Sequence, residues 1–226
     1  MTYKKIVPGI FRQRPNRFIA HVETTEGLQI CHVKNTGRCK ELLIDGARVY
    51  LEECENPKRK TRFDLVAVEK GSLLINIDSQ APNKVAEEFL PTLFPDLTLI
   101  RPETVFGDSR FDFYCEINKE PWFVEIKGVT LEQNHIALFP DAPTSRGTKH
   151  LRELIRCQNC GYKACVLFII QMDGVKFFTP NVATDPKFSQ ALQDAVDSGV
   201  SVVAADCIVT PNSLTAKDYV EVRFAR

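Results

Sequence analysis

Two carboxylates and a lysine near the middle of the chain could together hold a metal ion and act on a phosphodiester. They are Asp112, Glu125 and Lys127, in the pattern D-x12-E-x-K. Cutting a phosphodiester requires a cation that polarises the phosphoryl oxygen and activates water, and oxygen ligands suit Mg²⁺. Asp112 and Glu125 would supply those ligands. Lys127 would orient the attacking water or stabilise negative charge that develops on the phosphate.

The trio falls within a predicted β-hairpin. Two apolar-alternating strands, 110–117 and 122–129, are joined by turn residues that predict a four-residue loop. In this register Asp112 lies opposite Lys127 and diagonal to Glu125, and the other face of the hairpin is wholly apolar, as a buried sheet face should be. The pattern alone also fits a solvated sheet face with a cross-strand Asp–Lys pair.

An α/β domain, assigned to residues 81–226, must position this hairpin. The pattern predicts a helix over 83–90 that ends before Pro91, and a last helix with Asp185 as N-cap and Gly199 just past its end. Hydrophobic periodicity further predicts strands at 97–101, 110–117, 122–129, 163–170, 175–178 and 201–209, and helices at about 145–159 and 187–198.

Residues 1–80 are predicted to form a small β-barrel. Five short runs of β-type residues, 18–22, 28–33, 47–51, 65–68 and 73–77, are separated by turns that contain glycine. The OB-fold is a five-stranded barrel of this kind that binds oligonucleotides, although several other small barrels fit the same pattern.

Basic residues concentrate in the first part of the chain although the formal net charge is zero. This distribution points to an anionic partner such as nucleic acid. The candidate phosphate contacts of the barrel are Arg14, Lys34 and Arg38, of which Lys34 and Arg38 flank the small residues of 35–37. A plain connection between two elements is the competing interpretation of 35–38.

The segment after the hairpin leads into a helix whose start, residues 144–150, is rich in hydrogen-bond donors. Arg146, Lys149 and His150 lie there, and a helix N-terminus favours an anion through its free N–H groups and its dipole. We therefore expect these three side chains to contact phosphate beside the metal site. An ordinary exposed basic turn is the alternative.

Composition and the N-terminus place the chain among intracellular globular proteins. With 44% hydrophobic and 26% charged residues, the chain can bury a core. The first residues lack the apolar run of a signal peptide, so we expect a cytoplasmic location and reduced thiols for the eight cysteines. A zinc site at Cys157-x-x-Cys160 is disfavoured because no second ligand pair lies at suitable spacing.

Three segments together carry a resemblance to a known family. They are His32-Val-Lys-Asn-Thr-Gly-Arg38, Arg101-Pro-Glu-Thr104 and the run from Phe139 to Leu154, FPDAPTSRGTKHLREL. With them the chain resembles the sugar fermentation stimulation protein A family over nearly its whole length. The resemblance implies an N-terminal OB-fold, a C-terminal domain similar to the PD-(D/E)XK (restriction-endonuclease-like) nucleases, and a DNA partner.

The resemblance also implies the composition of a metal site. The superfamily motif maps onto Asp112, Glu125 and Lys127, although Phe111 precedes Asp112 where the motif has proline. A helical glutamate often completes such a site, and Glu87 on the first helix is the candidate by position. Glu88 and Glu103 are its rivals.

We therefore expect a two-domain DNA-binding protein with a Mg²⁺- or Mn²⁺-dependent nuclease site. A non-catalytic DNA-binding regulator of sugar metabolism genes, built on the same fold, is the first alternative. An enzyme of sugar metabolism is the second, but the sequence has neither a glycine-rich nucleotide loop nor a nucleophile elbow. The strandedness of the nucleic acid, DNA versus RNA, and monomer versus homodimer stay open.

Overall fold

The N-terminal part of the chain closes into a barrel. The computed structural model describes residues 1–35, 37–56 and 58–224. Its first strands are β1 (Ile6–Asn16), β2 (Ile19–Thr24), β3 (Gly27–Val33), β4 (Arg48–Glu53), β5 (Phe63–Lys70) and β6 (Leu73–Asn76). They pair in the order β3-β2-β1-β4-β5-β6, and a parallel pairing of β3 with β5 closes a ring of five strands. The predicted OB-fold barrel is confirmed.

The barrel uses a strand that the sequence pattern did not reveal. β1 pairs with both β2 and β4, whereas the predicted fifth strand, β6, is only a hairpin extension of β5. β1 contains Pro8, Gly9 and Pro15, which break the alternation of apolar residues that identifies a strand. Gly9 is required because a Cβ there would stand 2.5 Å from a methyl group of Val22.

A group of buried charges lies in the barrel wall. Asp64 and Asp78 are almost fully buried, and the ammonium group of Lys34 lies 3.2 Å from Asp64 and 3.1 Å from Asp78. Arg59 forms a second ion pair with Asp64. Burial alone would raise the pKa of Asp64, but the hydrogen bond from Arg59 and the charge of Lys34 outweigh burial and lower this pKa to about 2.

This low pKa predicts an acid-sensitive contribution to stability. Because the pKa of Asp64 is lower in the folded than in the unfolded chain, its charge stabilises the fold above pH 4. The contribution, on the order of 2 kcal/mol, is lost as the pH falls from 4 to 2. In urea unfolding at pH 7, 4 and 2.5, the stability gap between wild type and Asp64→Asn should therefore narrow. A constant gap would contradict this role of the carboxylate.

The rest of the chain forms a mixed sheet with helices on both faces and a small additional sheet. Its helices are α1 (Ala81–Leu93), α2 (Ser145–Asn159) and α3 (Pro186–Asp197). Its strands are β7 (Leu97–Phe106), β8 (Ser109–Ile117), β9 (Glu120–Val129), β10 (Leu131–Gln133), β11 (Ile136–Phe139), β12 (Lys163–Ile170), β13 (Phe177–Pro180), β14 (Ser201–Thr210) and β15 (Ser213–Tyr219).

The large sheet of this α/β domain has the order β15-β14-β12-β9-β8-β7. Strands β9, β12 and β14 are parallel, and β12 is buried along nearly its whole length, as a central parallel strand must be. Helix α1 packs on one face of the sheet, and α2 and α3 pack on the other. No helix among the described residues is long and apolar enough to cross a membrane.

Helix α1 differs from its prediction at both ends. It begins at Ala81, with Pro82 in its first turn, and it continues through Pro91 to Leu93. Pro91 is accommodated because it lies in the last turn, so only one backbone hydrogen bond within the helix is lost. Helices α2 and α3 lie where the pattern predicted them, and Asp185 caps α3 by accepting a hydrogen bond from the N–H of Phe188.

The register of the β8–β9 hairpin also differs from its prediction. Asn118 and Lys119 both have positive φ, which makes a two-residue turn in place of the expected four-residue loop. Phe113 therefore pairs with Val124, two residues away from its predicted partner. A shift of two residues keeps every side chain on its predicted face, and it moves Asp112 from opposite Lys127 to opposite Glu125.

The extreme N-terminus joins the barrel to the α/β domain. Thr2 forms an isolated antiparallel bridge with Ser213, the first residue of β15. The terminal ammonium group lies 2.7 Å from the carboxylate of Glu88 on α1. Residues 1–3, which precede the barrel in sequence, therefore contact the α/β domain that follows it.

Candidate metal centre and nucleic-acid cleft

Asp112 is held at the point where the β8–β9 ladder ends. One of its carboxylate oxygens accepts the backbone N–H of Ile126 at 2.7 Å, so the side chain takes the place of a main-chain acceptor. The other oxygen accepts a hydrogen bond from the amide of Asn83, in the first turn of α1, at 2.8 Å. The carboxylate is thereby fixed at the end of the strand, beside Glu125.

Glu125 is buried and only half satisfied by hydrogen bonds. Its Oε1 atom accepts from the ammonium group of Lys127 and from the Nδ1 atom of His150, on α2. Its Oε2 atom is buried and has no hydrogen-bond partner among the described residues. An unpartnered carboxylate oxygen is costly to bury, and a cation at this point would satisfy it.

The two carboxylates have pKa values shifted in opposite directions. Burial and the neighbouring charge of Glu125 raise the pKa of Asp112. Burial also pushes the pKa of Glu125 upward, but the hydrogen bond from His150 and the charge of Lys127 together outweigh it and lower that pKa. Burial and the neighbouring carboxylate thus both disfavour the charged form of Asp112, and a bound cation would offset both.

These side chains open into a cleft of about 690 Å³. Its floor is formed by Asp112, Glu125, Ile126 and Lys127. Polar and charged side chains around the floor are those of Ser79, Gln80, Asn83, Lys84, Glu103, Thr144 and Arg146, and Gly147 completes the lining. Three cationic side chains thus surround the paired carboxylates, an arrangement that can receive an anion next to a metal.

The structure does not bring Glu87 to this cleft. Glu87 is exposed on the second turn of α1, while Asn83 in the first turn is the helix residue that reaches Asp112. The rival Glu88 is paired with the N-terminus, whereas Glu103 lines the cleft and adopts a positive φ of 52°. No set of three His, Cys, Asp or Glu side chains in the described ranges is arranged to enclose a metal.

Of the three basic residues predicted to contact phosphate at the start of α2, only Arg146 lines the cleft. Arg146 is exposed and lines the cleft. Lys149 is directed away from the cleft and donates to the carbonyl oxygen of Asp108 at 2.9 Å. His150 is 5% exposed and holds Glu125, which corrects the prediction that it contacts nucleic acid directly.

Two of the three predicted phosphate contacts of the barrel are used internally. The ammonium group of Lys34 is largely buried between the carboxylates of Asp64 and Asp78, so it is not presented at the surface where a phosphate would bind. Arg14 donates to the backbone carbonyl oxygens of Asn35, Gly37, Arg38 and Arg17, at 2.6 to 3.0 Å.

Arg38 is exposed, and its backbone N–H donates to Asp141 at 3.0 Å. Thr36, in the same predicted loop, lies outside the described residues. Arg38 therefore remains the phosphate candidate of this loop.

Arg14→Ala should destabilise the protein, because four backbone carbonyls lose their donor. We expect the free energy of unfolding to fall by about 2–4 kcal/mol, measured by urea denaturation. Arg38→Ala is the matched control, and its exposed side chain should change stability by less than about 0.5 kcal/mol. Equal effects of the two variants would contradict the structural role of Arg14.

Asn83 is a site residue that the sequence pattern did not reveal, since the pattern indicates only that a helix begins at this position. The sequence signal for such a residue is a short polar side chain in the first turn of a helix that begins next to a sheet. That signal is weak because many helices begin with such residues for capping alone. Only the packing of α1 against the sheet places Asn83 next to Asp112.

The fold and site define a class of protein: an OB barrel joined to an α/β domain that carries a carboxylate–lysine cleft. Comparison with family models gives the same division. Residues 13–77 match the SfsA N-terminal OB domain, and residues 80–213 match the sugar fermentation stimulation protein RE domain.

Individual relatives extend this similarity over the whole chain. Sugar fermentation stimulation protein homologs of Ruminiclostridium cellulolyticum and Clostridium beijerinckii are each 53% identical, over 99% and 98% of this chain and 100% and 99% of their own. The structure of Pyrococcus furiosus SfsA in complex with Ca²⁺ is 30% identical, with a TM-score of 0.87 over 99% of this chain and 98% of that one. The chain belongs to the sugar fermentation stimulation protein family.

Proposed function

We propose that this protein binds DNA and cuts its phosphodiester bonds in a reaction that depends on Mg²⁺ or Mn²⁺. The observation that carries the proposal is the convergence of Asp112, Glu125 and Lys127 in one cleft, where a buried carboxylate oxygen of Glu125 has no hydrogen-bond partner among the described residues. The Pyrococcus furiosus protein forms a complex with Ca²⁺, which supports a cation site in the family.

The residues present fit a hard divalent cation. Asp112 and Glu125 offer carboxylate oxygens, and Mg²⁺ is commonly held by one or two carboxylates while it keeps several waters. The bound cation would supply Lewis-acid chemistry, polarising the phosphoryl oxygen and activating water. Asn83 and the N–H of Ile126 keep Asp112 in place, and His150 does the same for Glu125.

The cationic side chains would bind and stabilise the phosphate. Lys127 is 14% exposed and hydrogen-bonded to Glu125, so its charge is fixed next to the metal site, where negative charge develops on the phosphoryl oxygens. Arg146 and Lys84 line the same cleft and would hold flanking phosphates. Arg38, on the barrel, would extend this contact along the strand.

The proposal is tested by incubating labelled DNA with wild type, Asp112→Asn and Glu87→Gln in Mg²⁺, in Mn²⁺ and in EDTA. Wild type and Glu87→Gln should cut the DNA when a metal is present, because Glu87 lies outside the cleft. Asp112→Asn should not cut. DNA that is bound but left intact in every metal would overturn the nuclease and favour a non-catalytic DNA-binding protein.

A further inference from the structure

A second cavity, the side chamber, opens beside the cleft where the barrel meets the α/β domain. It has a volume of about 340 Å³. Ser79 and Thr144 line both the cleft and the side chamber, so the two spaces adjoin. Asn35 and Gly37 contribute the barrel side of the chamber, and Gly128, which follows Lys127 directly, lies on the opposite side.

The side chamber differs from the cleft in charge. Among the described residues that line it, Asp141 is the one charged group, whereas the cleft is lined by the cations of Lys84, Lys127 and Arg146 and by three carboxylates, two of which are the proposed metal ligands. With a divalent cation on Asp112 and Glu125, the cleft carries excess positive charge and attracts a phosphate, whereas the carboxylate of Asp141 repels a phosphate from the chamber. A neutral group attached to that phosphate is the part of a ligand that fits the chamber.

Two of the polar side chains that line the chamber, Gln171 and Asp141, offer hydrogen-bond acceptors. The amide nitrogen of Gln171 donates to the carbonyl oxygen of Asp78 at 3.1 Å, and because a carbonyl can only accept, the orientation of this amide is fixed. The amide oxygen of Gln171 therefore faces Gly128, and a Cβ on residue 128 would lie 2.6 Å from this oxygen. One oxygen of Asp141 accepts from Arg38, and its second makes no hydrogen bond with a described residue.

The remaining walls suit a planar ring. Phe139, Pro140 and Pro143 give the chamber apolar surface against which a ring can pack. Space is preserved by Gly37 and Gly128, since a Cβ at either position would stand 2.6 Å from a side-chain oxygen. The chamber volume is at the lower end of the range for small-molecule pockets, so one base can enter and a duplex cannot.

We propose that the side chamber binds the base of one unpaired nucleotide whose phosphate lies in the cleft. The substrate is therefore single-stranded nucleic acid or an unpaired end. Bases with an exocyclic amino group are preferred, because the amide oxygen of Gln171 and the carboxylate oxygen of Asp141 that bonds no described residue can accept hydrogen bonds from it. This inference rests on the proposed nuclease and adds the form of its substrate.

The first test uses a variant that fills the chamber without removing a hydrogen-bonding side chain. Ala142 lines the chamber, and Ala142→Phe adds an aromatic ring there, while Ala183→Phe adds the same ring at an exposed position in the turn before α3. Wild type and Ala183→Phe should cut a labelled single strand at least about tenfold faster than the same sequence in a blunt duplex. Ala142→Phe should lose most of its single-strand cleavage.

The second test measures binding without cleavage, by calorimetry with Ca²⁺ present. Wild type should bind dCMP at least about tenfold more tightly than deoxyribose 5-phosphate. It should bind dCMP about fivefold more tightly than dTMP, which lacks the amino group. Ala142→Phe should bind dCMP and deoxyribose 5-phosphate equally, and Ala183→Phe should behave like wild type.

The outcomes separate base binding in the chamber from cleavage in the cleft. If DNA is cut, but duplex and single strand react equally and dCMP binds no better than deoxyribose 5-phosphate, the side chamber does not bind a base and the nuclease stands. If no DNA is cut, but the preference for dCMP is present and is lost in Ala142→Phe, the chamber stands and the nuclease fails.

Discussion

Replacing Lys127 by methionine should lower the rate of DNA cleavage by about 10²- to 10³-fold, because the fixed positive charge beside the metal site is lost. The affinity of the protein for a divalent cation should not fall with the cleavage rate. The ammonium group of Lys127 contacts Glu125, and removing a positive charge next to a carboxylate strengthens the attraction of that carboxylate for a cation. Calorimetric titration with Ca²⁺ should therefore give an affinity at least equal to that of wild type.

Lys163→Met is the matched control for this prediction. Lys163 is an exposed lysine at the start of β12. It pairs with Trp122, near the beginning of β9, whereas Lys127 lies near the other end of that strand. This variant should keep both the cleavage rate and the Ca²⁺ affinity. A Lys127→Met protein that cuts normally, or that loses cation binding along with cleavage, would contradict the role assigned to the lysine.

Asp112→Asn should melt at a higher temperature than wild type without a divalent cation, and at a lower temperature than wild type with one. The pKa of Asp112 is raised in the folded protein, so its charged form is disfavoured there, and this costs stability at pH values above that pKa. Asparagine removes the charge and can still accept the N–H of Ile126. In EDTA at pH 7 the variant should therefore melt at a higher temperature than wild type.

A cation should stabilise wild type alone. At a concentration 100-fold above the dissociation constant, the cation adds about 2.7 kcal/mol, which raises the melting temperature by roughly 5–10 °C for a chain of this size. Differential scanning calorimetry of both proteins, with EDTA and with Ca²⁺, measures all four values. An equal shift of both proteins with Ca²⁺ would place the cation somewhere other than Asp112.

The identity and face of the cleft residues follow from the sequence because a β-strand alternates strictly between its two faces. Asp112, Glu125 and Lys127 keep their predicted face although the hairpin register moved by two residues. The register itself depends on the turn at Asn118 and Lys119. Asn118 favours the left-handed conformation but Lys119 does not, so the residue types contained only half of the signal for a two-residue turn.

The partners of charged side chains could not be predicted, because they depend on contacts between distant segments. Lys34 and Arg14 are of residue types that commonly bind phosphate. In the closed barrel, however, Lys34 contacts Asp64 and Asp78, and Arg14 donates to backbone carbonyls. Glu87 has the expected residue type on the expected helix. The angle at which α1 meets the sheet brings Asn83 to the site instead.

Metal-dependent cleavage at this cleft is tested most directly by one time course on labelled single-stranded DNA. Wild type and Asp112→Asn are followed first in EDTA, then after addition of excess Mn²⁺, and finally after EDTA is restored. We predict no cleavage in EDTA, cutting by wild type alone once Mn²⁺ is present, and an immediate stop when the metal is removed. DNA that stays intact throughout, or equal cutting by the two proteins, would contradict the proposed nuclease site.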